Sequence, residues 1–466
     1  MNNFIQITKE NQGKETALLE QLTKQIKQLE EQENIIKNLL GITDPNINII
    51  GIPLEKNTKH GKVKILQAKL TYIPKKCEYC ETKNKNEKIV VKNGFDTITV
   101  KMGRTTDKVL LELKLTKQKF KCKKCKKIFR AKTTIVEKNK NISNNIAKNI
   151  AVGLLEVRSL KNIGKEYGIS INSVQRILEE LGKTTKTPKT LPEHLSFDEL
   201  KTTKDAAGHM SFIYTNAKTH EVLDIVMDRK LYNLKEYFRK ISRKERKKVK
   251  TITIDMYQPY ISLITELFPN AEIIIDKFHI IQHINREFNK LRIKVMNSYK
   301  YSNRKLYTKY KKYWKLLLKD MDLLVDDIMY MGKEMAIQRE FVIELIKENS
   351  QLEKSYHVMQ GIRESLKNGD YNQFLTIINE RVPMPKGIRK ALTTFKKYAK
   401  YIKNTMAYPE YTNGHIEGIN NKLKLIKRVA YGYRKFKNFR LRALIIFRVL
   451  KQDNISKKVS LAESIA

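Results

Sequence analysis

Acidic residues are scarce in this chain relative to basic ones. Asp and Glu number 49 against 93 Lys and Arg, for a formal net charge of +44. Solubility does not require an excess of that size, so a polyanionic partner is expected, with nucleic acid first. Long apolar runs are also missing. None approaches the 18 residues of a membrane-crossing helix, and the opening MNNFIQITKENQ lacks the apolar core of a signal peptide or a lipidation motif. These absences set a membrane surface aside and point to a soluble cytoplasmic protein. Cysteine is rare too, with four in 466 residues, too few for a disulfide scaffold. A chain of this length suggests roughly three domains with ample core.

The few cysteines are not scattered. They form two C-x2-C pairs, Cys77 and Cys80 in CEYC, then Cys122 and Cys125 in CKKC. That spacing matches zinc knuckles, and four thiolates close a tetrahedron without leaving a position for water, so structural Zn2+ is expected. A redox pair is disfavoured because no thioredoxin-like βαβ pattern surrounds either one. The alternating stretches KIVVKNGFDTITVKM and KVLLELKLTKQKFK lie between the pairs and are expected to fold as hairpins that bring the knuckles together.

Upstream, Leu19, Leu22, Ile26, Leu29, Glu33, Ile36 and Leu40 recur at heptad spacing. Glu33 interrupts the seam, so packing back on the protein is favoured over self-association. Downstream, SLKNIGKEYGISINSVQRILEELG carries Gly164, Gly168 and Val174 at the small residue, turn glycine and apolar contact of a helix-turn-helix. Ile163, Ile169, Ile177 and Leu178 would form its core. The second helix, opening near Ser170 or Ile171, would present Asn172, Ser173, Gln175 and Arg176 to a major groove. The polar stretch KTTKTPKTLPEH then marks a boundary.

Three short strands, HLSFDEL, HMSFIYTNA and EVLDIVMD, read as an antiparallel meander, followed by a helix from Leu231 to about Ser242 and a basic loop from Lys244 to Lys250. The segment TITIDMYQPYISLITELFPNAEIIIDKFHIIQH reads as strand, helix over Pro259 to Leu267, strand and helix. Its strands end on Asp255 and Asp276. Strand, strand, strand, helix, strand, helix, strand is the order of a ribonuclease H-like domain. In that fold the first and fourth strands are neighbours, which sets Asp198 across from Asp255 at the sheet rim.

From 284 to 408 the chain is expected to be helical and basic, a long insertion without strands. Tyr307, Tyr310, Tyr313 and Trp314 mark an aromatic face that is expected to serve mainly as core. The chain returns at YPEYTNGHIEGINNKLKLIKRVAYGYRKFKNFRLR, where Asn413 would cap a helix. On it Glu417, Asn420 or Asn421, Lys424 and Arg428 form one polar stripe. Clustered carboxylates from Asp198, Asp255 and Glu417 need cations. Hard oxygen ligands favour two Mg2+ or Mn2+ ions, suited to in-line phosphodiester displacement. Glu199 is a competing ligand. Asp276 and His279 are expected to support the site, and His283 could extend it to a further metal site, the less favoured reading. His415 faces elsewhere.

The segments SFDEL, TIDMYQPY, IIDKFHIIQH and NGHIEGINNKLKLIKRVAYGYRKFKNFRLR resemble the signatures of DDE-type insertion-sequence transposases, more narrowly the ISL-three family. The resemblance spans about residues 40 to 450. It maps the family's acids onto Asp198, Asp255 and Glu417. It implies cleavage of double-stranded DNA at terminal inverted repeats and strand transfer into target DNA, by a bacterial, nucleoid-associated enzyme that pairs two ends as a homodimer. Lys424 and Arg428 would face the DNA. The expected organisation is a helical segment (1–44), a zinc-binding β module (45–137), a helix-turn-helix (138–182), a linker (183–192), a ribonuclease H-like catalytic domain (193–283 and 409–466) and its helical insertion (284–408). A DNA-binding regulator without catalysis and a nuclease of the same fold are the alternatives.

Overall fold

The structure, a computed structural model, describes residues 21–450 except 22, 59–60, 184–186, 325–327 and 332–333. The heptad positions Leu19 and Leu22 and linker residue Lys186 lie outside the described residues. The chain divides into two compact units, residues 1–184 with 449–466, and residues 185–448.

In the first unit a helix over 23–39 (α1) precedes five strands: β1 (Ile47–Thr58), β2 (Gly61–Leu70), β3 (Val90–Arg104), β4 (Leu110–Cys122) and β5 (Ile128–Arg130). The sheet order is β1-β2-β4-β3, with β5 beside β4 and β2 parallel to β4. The alternating stretches each form one strand, β3 and β4, and the two pair antiparallel as a hairpin. Gly94 does not end the first of them. It sits at φ +74° inside a register shift between Lys92 and Phe95, so the chain bulges and runs on. Glu33, the residue that breaks the heptad, accepts the Ile49 N–H at 2.8 Å and pairs with Lys37. The charged seam residue thus ties α1 to β1, while Ile26, Leu29 and Ile36 stay exposed.

Three helices follow in this unit, α2 (Asn144–Gly153), α3 (Leu160–Tyr167) and α4 (Ile171–Gly182), opened by Ser143, Ser159 and Ser170 as N-caps. Gly168 ends α3 at φ +66°. A Cβ on Gly164 would stand 2.6 Å from the Ile169 carbonyl oxygen, so a side chain there would push α3 away from the α3–α4 turn. Ile163, Ile169, Val174 and Leu178 are buried between the helices, with Ile177 half-buried.

The second unit is built on the sheet β10-β9-β6-β7-β8. Its strands are β6 (His194–Lys201), β7 (Met210–Asn216), β8 (Val222–Val226), β9 (Thr251–Ile254) and β10 (Glu272–Ile275). β6, β9 and β10 run parallel and β7 and β8 antiparallel. The helices α5 (Leu231–Arg239), α6 (Arg243–Arg246) and α7 (Gln258–Leu267) make the connections; α6 occupies part of the expected basic loop because Ser242 caps it. Phe197, Phe212, Tyr214, Phe238 and Phe268 interlock edge to face beneath the sheet. Such ring pairs add to the gain from burial.

α8 (Lys277–Ser302) runs unbroken across the expected boundary at 284. It leads to α9 (Arg304–Lys312), α10 (Trp314–Leu317), α11 (Gln338–Lys347), α12 (Ser350–Asn368), α13 (Tyr371–Asn379) and α14 (Lys386–Ala407). The expectation of no strands in this stretch is corrected by a two-stranded ribbon, β11 (Ile328–Met331) and β12 (Glu334–Ile337). Four-residue strands are too short to show a period. α14 returns to the sheet edge, where Thr405 Oγ1 and Asn404 Nδ2 donate to the β10 carbonyls of Ile275 (2.7 Å) and Ile273 (2.9 Å) and close an open edge. α15 (Gly414–Val429) and α16 (Phe436–Leu450) are the last of the described elements.

Candidate functional site

Strand register levels three acids. Ser196 pairs with Thr253 in parallel and Ile254 with Ile275, so continuing the ladders sets Asp198, Asp255 and Asp276 in one row at the carboxyl edge of β6, β9 and β10. Asp198 belongs to β6, whereas Asp255 and Asp276 each stand one residue past a strand. Asp276 is buried at the start of α8, and its Oδ1 accepts the Asn413 N–H at 3.1 Å. His279, one turn into α8, brings its Nδ1 to 2.9 Å from both Asp255 Oδ1 and Asp276 Oδ2. Burial works against a charge on that imidazole, but the two carboxylates outweigh it and raise its pKa to about 10. At neutral pH an imidazolium therefore holds the two acids together. Among the described residues of this unit, Asp255, Asp276 and His279 are the trio whose ligand atoms lie within 4.8 Å of one another. Asp198 and Glu417 lie outside it.

α15 is fastened over this edge. Asn413 does not cap α15 with its side chain, as expected, but donates Nδ2–H to the Phe197 carbonyl at 3.1 Å. Asn420 donates to Asp198 Oδ2 at 2.8 Å, and Lys427 Nζ reaches the carbonyls of Lys201 and Thr202. Glu417 precedes Asn420 by three residues on the same face and is exposed. Lys424 and Arg428 are exposed further along. Of the two asparagines open in the sequence, Asn420 makes the contact. The polar stripe narrowed the choice, but only the helix rotation decides it.

Glu199 is drawn away from this row. Successive strand side chains alternate faces, and Glu199 is engaged by Arg229 and by the Tyr260 hydroxyl at 2.8 Å. His283 also stands apart from the trio, bonded to Arg286 at 2.8 Å and packed on Phe395. His415 shares a hydrogen bond with Thr215 Oγ1 at 2.8 Å through Nε2 and donates through Nδ1 to the Thr412 carbonyl.

The Asp198 carboxyl is pushed up to about 6, by burial first and then by the Asp255 charge. The folded protein therefore holds this proton more tightly than the unfolded chain, whose value is near 3.8. Stability falls as pH rises from about 4 to 6, and the cost persists above that window. Asp198→Asn in metal-free protein will accordingly raise urea stability at pH 8, by up to about 3 kcal/mol, and leave it unchanged at pH 4. Equal midpoints at pH 8 would show that the ionised carboxylate is not strained.

In the first unit Cys77 and Cys125 place their sulfurs 3.7 Å apart, and Cys80 and Cys122 place theirs 3.8 Å apart. A tetrahedron with Zn–S bonds near 2.3 Å has edges of about 3.8 Å, whereas a disulfide needs about 2 Å. The four thiols form a ligand cluster that fits zinc. On α4, Asn172 and Arg176 are exposed, Ser173 is bonded to Ser170 Oγ at 2.9 Å, and Gln175 to Glu179 at 3.2 Å.

A family model described as transposase, of the DDE ISL-three class, matches residues 195–443, more than half of the chain. The transposase for insertion sequence element IS1001 of Bordetella parapertussis is 27% identical over 267 residues, 55% of this chain and 61% of that protein. A Lactococcus lactis subsp. lactis protein named as an ATP-dependent protease is 35% identical over 118 residues, 25% of this chain and 38% of that protein. The chain thus spans less than two thirds of either relative. Among the described residues no helix is long and apolar enough to cross a membrane.

Proposed function

The chain belongs to the ISL-three family of DDE transposases, and on that premise we propose that it binds the terminal inverted repeats of an insertion sequence, cleaves DNA there and joins the freed ends to target DNA. The second unit is read as a ribonuclease H-like catalytic domain and α2–α4 as a helix-turn-helix. The observation that carries the proposal is the row of acids at the sheet rim, to which α15 is tied by the hydrogen bond from Asn420 to Asp198; Glu417, one turn before Asn420, is read as the third ligand.

The residues present fit divalent cations. Asn420 Oδ1 is buried and lacks a hydrogen-bond donor, and the Asp198 carboxyl is pushed up by burial and then by the Asp255 charge beside it. Asp198, Asp255 and Glu417 would hold two Mg2+ or Mn2+ ions through hard oxygens. When bound, such ions supply Lewis-acid activation of the attacking oxygen and charge stabilisation at the leaving one. The chain's own part is positional. Asp276 and His279 fix the Asp255 carboxylate, Asn420 orients Asp198, and Asn413 and Lys427 seat α15. Asn172 and Arg176 would read base edges from α4.

A homodimer is the expected assembly for pairing two ends. The test combines labelled duplex carrying the DNA that flanks the reading frame, target plasmid and Mg2+. Label joined to the plasmid supports the proposal, nicks alone would identify a nuclease, and binding without cleavage would identify a regulator.

A further inference from the structure

Between Tyr299 and Lys315 the chain reads YKYSNRKLYTKYKKYWK, with seven cations, six aromatic rings and no acid. The aromatics divide into two sets. Tyr310 is fully buried and donates to the Leu345 carbonyl at 2.7 Å, and Tyr313 packs edge-on to Phe341, as core residues do. Tyr301 is 91% exposed and Trp314 37%, and Tyr307, one turn before Tyr310 on α9, is only half-buried. Around these outer rings the cations are gathered. Arg304 and Lys311 flank Tyr307 at 5.0 and 5.9 Å, Lys300 stands 5.2 Å from Tyr301, Lys315 5.9 Å from Trp314, and Lys312 5.1 Å from the edge-packed Tyr313. Arg304, Tyr307 and Lys311 follow one another at i, i+3 and i+7, so α9 has an apolar face toward its unit and a cationic one away from it. Rings beneath the side-chain stems restrict where the charged heads swing, which lowers the entropy lost when a polyanion is bound.

The position of this patch specifies its partner. α8 starts at Asp276 in the row of acids and ends at Ser302, where the patch begins. Its 26 residues rise about 39 Å. A turn of B-DNA repeats every 34–36 Å, so a duplex laid along α8 with its scissile phosphate at the acids presents the same face again at the patch. We infer that Lys300, Arg304, Lys311, Lys312 and Lys315, with Tyr307 at their centre, form a second duplex-DNA contact about 11 base pairs from the scissile phosphate. It clamps the backbone without reading sequence. The inference rests on DNA being bound at the acids, as proposed above.

The test uses the full chain and a duplex of about 30 base pairs, three turns. Each phosphate contact contributes about 0.9 to the slope of log affinity against log salt. Replacing Arg304, Lys311, Lys312 and Lys315 together with Gln will lower that slope by about three to four. The charge-preserving exchange R304K, K311R, K312R and K315R will keep it. An unchanged slope in the Gln variant, or equal loss in both, overturns the contact. Its position is read by placing a benzophenone amino acid at Tyr307 and mapping crosslinks against the nick made with Mg2+. Crosslinks centred about 11 base pairs from the nick are expected. If the protein nicks DNA but crosslinks fall elsewhere or only on protein, the clamp alone fails. If it binds DNA with no salt dependence and makes no nick, the reading of the acids fails with it.

Discussion

On the proposed mechanism, Asp198→Asn, Asp255→Asn and Glu417→Gln will each reduce strand cleavage by about a thousandfold or more, because each would remove a charged oxygen ligand of the proposed ions and not merely a contact. DNA affinity will stay within about threefold, since binding is carried by cations elsewhere on the chain. Glu199→Gln is the informative control. Glu199 lies beside Asp198 in sequence, yet Arg229 and Tyr260 engage it on the other side of β6. That variant should lose stability and keep most of its activity. The outcome at odds with the mechanism is the reverse: an active Glu417→Gln protein alongside an inactive but folded Glu199→Gln protein.

Emptying the four-cysteine cluster, if it holds zinc as its geometry fits, will have the largest structural effect. Cys77 and Cys122 are fully buried and belong to the core of the first unit, beside Val90, Phe120 and Phe129. The cluster fastens the β2–β3 connection to the end of β4. Structural zinc in small modules contributes folding free energy on the order of 10 kcal/mol, comparable to the whole net stability of a typical domain. Cys122→Ser or a strong chelator should therefore melt this unit, with loss of one equivalent of zinc and of the β signal in circular dichroism. The second unit holds none of the four cysteines, and its unfolding transition should persist. Metal analysis that finds no zinc in the purified protein, with the first unit still folded, would remove the cluster's structural role.

The two units differ in how far the sequence revealed them. Period-two and continuous apolar runs marked β6 through β10, and their order alone aligned Asp198 with Asp255, because parallel register leaves little freedom at a buried strand end. The knuckle spacing likewise carried the cysteine cluster. The helix rotation was not legible. The stripe on α15 left Asn420 and Asn421 open, and only the docking of Asn413 on Phe197 and Lys427 on the end of β6 turns Asn420 toward Asp198. The role of His279 was half legible. Its place in DKFH suggested support for the acids, but the bridge to Asp255 depends on an adjacent strand and a cap that no local pattern encodes. The aromatic run near Tyr307 was expected mainly as core, and Tyr310 and Tyr313 are core. Its other face became visible only once α9 had a direction.

Anomalous diffraction from crystals soaked in Mn2+ tests the central assignment most directly. Two peaks roughly 3.5 to 4 Å apart, with Asp255 between them and Asp198 and Glu417 on either side, are the predicted result. A single ion held by Asp255, Asp276 and His279, with Glu417 remaining in solvent, would contradict it.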